Sequence, residues 1–121
     1  MVTAELAACL PVLMLILAVA VSAVDVVAER VRLADAAREA ARAAARGDPG
    51  AGRRLALEEA PGARVGVTAG GGVVTAVVTK QVHPLGGWLP SITVSERCVA
   101  AVEPSDASPV GPGPQPAVEP P

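Results

Sequence analysis

The pattern of apolar and polar positions divides the chain into stretches of different period. Residues 6–24 (LAACLPVLMLILAVAVSAV) are nineteen positions without a charge, bounded by Glu5 and Asp25. As a helix this stretch would be roughly 28 Å long, close to the ~30 Å hydrocarbon thickness of a bilayer. It predicts a transmembrane anchor over residues 1–24. The competing reading is a cleaved secretory signal, which has a shorter apolar region behind a basic n-region and ends at a small-residue cleavage site. This stretch has no basic n-region and runs unbroken into a charged helix, which favours an uncleaved anchor. Pro11 removes one backbone hydrogen bond within it and is expected to bend the axis.

Beyond Asp25, the sequence VVAERVRLADAAREAARAAARGD holds no Gly or Pro before Gly47 and is rich in Ala, Arg and Glu, all strong helix formers. One rod over residues 3–46 is predicted, roughly 66 Å long, with residues 25–47 as its extension. Val27, Val31, Ala34, Ala41 and Ala45 recur at helical spacing as a narrow apolar seam, beside Arg38, Arg42 and Arg46 on a neighbouring face. Glu39 is placed to pair with Arg42, and Gly47-Asp48-Pro49 is a helix stop. Two partners suit the seam: the chain's own C-terminal domain, or the same helix in neighbouring subunits. Small residues permit either close approach.

Residues 50–61 (GAGRRLALEEAP) read as a short helix. Three runs rich in Val, Ile and Thr follow, at 63–68, 73–82 and 92–102, separated by the turn-like AGGG and HPLGGWLPS. The predicted fold class is α+β: a long N-terminal helix, transmembrane then amphipathic, packed on a small antiparallel β meander. The small α+β domain is assigned to residues 48–103. A domain of this size is near the lower limit for independent stability, so it is expected to lean on the helix or on neighbours. From residue 103 the sequence EPSDASPVGPGPQPAVEPP carries seven prolines in nineteen positions, which predicts a disordered or polyproline-like tail over 104–121, either a spacer or a docking motif.

Composition narrows the function. The net charge is −2, and the basic residues, nine Arg and Lys80, are spread along the chain, so there is no basic patch for nucleic acid. Trp88 is the only aromatic residue, so any core is aliphatic. Cys9 lies in the apolar stretch and Cys98 in the domain. Such a pair is not expected to come within the roughly 7 Å between Cα atoms that a disulfide needs. Leu6-Ala7-Ala8-Cys9 has the form of a lipoprotein cleavage box, but the apolar run follows the cysteine instead of preceding it.

His83 is the only histidine, so no zinc cluster of His and Cys pairs can be built. No nucleophile elbow surrounds any serine, and Gly70 to Gly72 joins two strand runs as a hairpin turn instead of opening a helix. Neither a catalytic residue, a metal nor a cofactor is expected. Glu5 is the notable polar position. It suits the positive end of the helix dipole, yet a carboxylate at the edge of an apolar span is also a functional candidate.

Val2-Thr3-Ala4-Glu5 leading into the apolar run, Ala36-Ala37-Arg38-Glu39-Ala40-Ala41-Arg42, Ala44-Ala45-Arg46-Gly47-Asp48 and Ala100-Ala101-Val102-Glu103-Pro104 together resemble the TadE-like family. Its members are minor pilins or pseudopilins of the tight-adherence type IV pilus system, here in the branch found in high-GC Gram-positive bacteria. The resemblance covers about residues 1–104. It implies a type IV pilin-like subunit whose C-terminal domain lies outside the cytoplasmic membrane, whose leader is cut by a prepilin peptidase, and whose apolar helix joins other pilins and the assembly machinery in a filament. A glutamate at the fifth mature position marks the family, where it is thought to neutralise the terminal amine of a neighbour. Glu5 matches it, with Met1 in the place of the first mature residue. A leader is not part of the sequence as written, and the start codon is expected to lie upstream. Arg30, Arg32, Arg38 and Arg42 follow the span, which alone would favour a cytoplasmic C-terminus. A basic upstream leader would reverse that imbalance. The alternative function is a membrane-tethered binding module that never enters a filament.

Overall fold

The computed structural model describes residues 1–102. The predicted tail lies outside the described residues. Helix α1 spans Val2–Ala45 and runs unbroken through Pro11. Its C-terminus closes with the Arg46 N–H donating to the Arg42 carbonyl and the Gly47 N–H to the Ala44 carbonyl, and the chain turns at Gly47, whose φ of 93° suits glycine. Asp48 caps α2 (Pro49–Glu59): its Oδ1 accepts the Ala51 N–H at 2.8 Å, and Pro49 takes the first helical position, where its missing N–H costs nothing.

Three strands follow, β1 (Arg64–Gly70), β2 (Val73–Val82) and β3 (Ile92–Ala101). They form an antiparallel meander in the order β1-β2-β3, with Val67 opposite Ala76 and Ala76 opposite Cys98. The first turn is made by Gly71 and Gly72, both at positive φ. The second connection contains a 3-10 turn, Pro84–Gly87. The fold is therefore α+β, with one long apolar N-terminal helix and a small three-stranded sheet.

Strand periodicity sends Val74, Ala76 and Val78 of β2 and Val94 of β3 to one face, where they are buried. Thr68, Thr75, Thr79, Ser95 and Arg97 occupy the other face, which is left to solvent; Thr79 and Ser95 hydroxyls meet across it at 3.0 Å. The inner face covers the second half of α1, where Leu33, Ala36, Ala37, Ala40 and Ala41 form one cluster with Ala56, Ala60, Ala63, Ala76, Val78 and Val94. The core is built largely of alanine, and closeness of approach replaces bulk. Gly52 shows how close: a Cβ there would lie 2.7 Å from the Ala40 carbonyl oxygen and 3.2 Å from the Ala43 Cβ. The first half of α1 is different. None of its most apolar eighteen-residue window is buried, and Leu10, Leu13, Leu15, Ile16 and Leu17 are all exposed.

Candidate assembly and anchoring surface

Met1 and Glu5 sit at the free end of α1, both exposed; Met1 is the N-cap and makes no side-chain capping bond, and Glu5 lies in the first turn. Nothing in the described fold reaches this end. A carboxylate there is presented outward at the tip of an apolar rod, where a charged group of another molecule could meet it.

The five seam residues do not share one environment. Ala41 and Ala45 are buried in the domain, Ala34 is half-buried, and Val27 and Val31 are exposed at 60% and 57%. The face that packs on the sheet is centred on Leu33, Ala36, Ala37, Ala40 and Ala44 instead, roughly a third of a turn away. Part of the reason is steric: α2 meets α1 closely at Ala40 and Ala43, against Gly52, where larger side chains have no room. Val27 and Val31 are left on the outer face. Among the described residues the valine part of the seam is left exposed, whereas its Ala41 and Ala45 are committed to the chain's own core.

The arginines follow the predicted outer face, but their pairing differs. Arg38 pairs with Asp35 at 2.8 Å, three residues earlier, and the expected Glu39–Arg42 pair is not formed. Sequence reasoning also missed a cluster at the lower edge of the domain. Lys80 Nζ of β2 lies 2.5 Å from Glu29 Oε1 of α1, Arg32 lies 3.8 Å from the other oxygen of Glu29, and Arg30 lies 4.0 Å from Glu96 of β3. These groups stand about one turn beyond Asp25, and they tie both longer strands to the helix just past its apolar half. Lys80 and Glu29 are 51 positions apart, so no local spacing reveals them. The alternation of β2 offered a signal: Lys80 falls on the same face as Val74, Ala76 and Val78, where an unpaired ammonium would be costly.

His83 is exposed at the start of the 3-10 turn and caps nothing. Cys9 and Cys98 are both free thiols. Among the described residues no group of three His, Cys, Asp or Glu side chains is placed to hold a metal ion.

Fold and surface together define a class: a small α+β domain borne on the C-terminal half of a helix whose N-terminal half is bare and is long and apolar enough to cross a membrane. The chain is 36% identical over 105 residues to the apoptosis inhibitor Rv3655c of Mycobacterium tuberculosis strain H37Rv, a match that covers 86% of this chain and 81% of that protein. It belongs to that protein's family. No profile of a known protein family matches the chain, and no solved structure matches it.

Proposed function

We propose that this chain is a minor pilin-like structural subunit of the TadE-like kind, without catalytic activity, belonging to a tight-adherence type IV pilus or a related secretion filament. The observation that carries the proposal is the division of α1 into a bare apolar half headed by Glu5 and a half that holds a small sheet. The bare half anchors the subunit in the cytoplasmic membrane with its domain outside. Assembly then exchanges lipid for the apolar helices of other pilin subunits. Desolvated carboxylates are costly, so Glu5 would enter such a bundle only with a cationic partner, for which the terminal amine of a neighbour has the right charge. Prepilin peptidase and the pilus assembly machinery are the partners this implies. N-terminal sequencing of the native protein from cells with and without a prepilin peptidase tests the proposal. A peptidase-dependent N-terminus at Met1 of this numbering is expected; the same N-terminus in both strains argues against entry into a filament by this route.

A second reading, a membrane-tethered module that acts on one binding partner, is favoured by the name of the mycobacterial relative, an apoptosis inhibitor. Exchange of Glu5 for Ala separates the two. Filament assembly should be lost on the first reading, whereas a tether tolerates the change.

A further inference from the structure

We propose that the connection between β2 and β3 is a membrane-interface anchor, in which Trp88, with Leu85 and Leu89, seats in the headgroup region of the bilayer beside the emergence of α1. The inference rests on the anchoring of α1 in a membrane, but not on filament assembly.

Height along the helix carries the argument. Ala76 and Val78 of β2 cluster with α1 residues from Leu33 to Ala41, and Lys80 meets Glu29. As β2 advances, its contacts move toward the N-terminus of α1, so the strand descends toward the apolar span. Glu29 stands about 7 Å beyond Val24 along the helix axis, at 1.5 Å per residue. Two further residues of β2, to Val82, cover a similar distance, at about 3.3 Å each. The connection that follows is therefore level with the last turns of the span. It is also docked there: Pro84 is buried, the Pro84–Gly87 turn touches α1, and Ser22 and Val26 are half-covered on the side of α1 that faces the domain while Ala23, Val24 and Val27 are bare.

Chemistry at this height changes abruptly. Lys80, Glu29, Arg30, Arg32 and Glu96 form a charged collar, and between Lys80 and Glu96 the sequence QVHPLGGWLPSITVS holds no acidic residue, lysine or arginine. Below the collar Trp88 is 92% exposed, and Leu89 and Ile92 are about half exposed. Trp88 is also the only aromatic residue of the chain. A small domain short of core material would gain by burying its largest side chain, yet the fold turns it outward. The turn that does so is conformationally costly: Leu85 has a φ of 53°, followed by Gly86 and Gly87 at 63° and 98°. An indole beside apolar side chains, just under a charged collar, suits the interface between headgroups and acyl chains, where tryptophan concentrates.

Because Trp88 is the sole fluorophore of its kind, the native chain reports directly. The full chain is reconstituted into phosphatidylcholine and phosphatidylglycerol vesicles and floated on a density gradient. Emission is then read with aqueous iodide as one quencher and lipid brominated near the headgroup end of its acyl chains as the other. The expected result is co-flotation, emission blue-shifted from that of free tryptophan in buffer, strong loss of intensity with brominated lipid, and several-fold weaker quenching by iodide than free tryptophan shows. Co-flotation with unshifted emission, full iodide quenching and no response to brominated lipid overturns the loop anchor and leaves the membrane span standing. Failure to float overturns both. A double variant, Trp88→Leu with Thr68→Trp, moves the reporter to the solvent face of β1. Its emission should be open to iodide and silent to brominated lipid. Equal lipid quenching there would mean that the domain lies flat on the bilayer, and would overturn a specific role for the loop.

Discussion

Lys80 and Glu29 join the sheet to the helix through a charged hydrogen bond whose side chains are only 25% and 14% exposed. The pair matters more than a surface ion pair because neither group can fully rehydrate when the other is removed. Glu29→Ala leaves the ammonium facing the inner side of the sheet and should cost about 1–3 kcal/mol, the usual penalty of an unsatisfied buried polar group. Glu29→Leu with Lys80→Met should recover most of that loss, since two packed apolar groups need no partner. Urea-dependent proteolysis of the full chain in detergent micelles checks both.

Gly52 is the contact point of α1 and α2. The added methyl of Gly52→Ala would strike backbone of Ala40, which cannot swing aside as a flexible side chain could. Despite the better helix propensity of alanine, the expected result is a loss of about 1–3 kcal/mol from overpacking. Gly50 is the control: a Cβ there would meet only the Asp48 side-chain oxygen, at 3.5 Å, an ordinary contact. Gly50→Ala should be neutral or stabilising by up to about 1 kcal/mol. The two midpoints should move in opposite directions or differ clearly in the same urea series.

Much of the fold was legible because its local rules agree. Charge-free length marked the bare half of α1, and Val and Thr runs broken by glycine marked the strands, with β2 at residues 73–82 as expected and β3 ending at Ala101 instead of 102. The short helix begins at Pro49, one residue before the expected start, because Asp48 caps it. The buried side of α1 was less legible. Hydrophobicity ranks valine above alanine, so Val27 and Val31 drew the seam toward themselves, whereas the docked face holds Leu33 among alanines, and where α2 crosses at Gly52 the gap admits only small side chains. The Lys80–Glu29 pair and the height of Trp88 depend on how β2 descends along α1. Neither can be read before the strand is docked.

Leu33 is one of the few sizeable side chains in the core, fully buried beside alanines. Leu33→Ala should cost about 2–5 kcal/mol, the range for a buried leucine. Roughly 55 residues at ~0.05–0.15 kcal/mol each sustain only about 3–8 kcal/mol of stability, so much of the domain's reserve would be lost. The check is amide hydrogen exchange of β2 in micelles, where protection of Val74 to Val78 should collapse while the bare half of α1 keeps its helical protection.

The split seam gives the sharpest separation of folding from assembly. Val31 is 57% exposed and is not a member of the sheet's buried cluster, so Val31→Lys should leave domain stability within about 0.5 kcal/mol of the parent, as surface changes usually do. Ala41 is fully buried in that cluster, and Ala41→Leu should destabilise the domain by about 1–3 kcal/mol through overpacking. If the outer valines meet a neighbouring subunit's helix, Val31→Lys places an ammonium in that contact, and the variant should fold and anchor normally yet vanish from sheared surface filaments, as Glu5→Ala should. A tethered module predicts instead that both variants keep full surface display and partner binding. Immunoblots of membrane and sheared fractions from the same cells distinguish these results, with the Ala41→Leu protein showing what a folding defect alone does to both fractions.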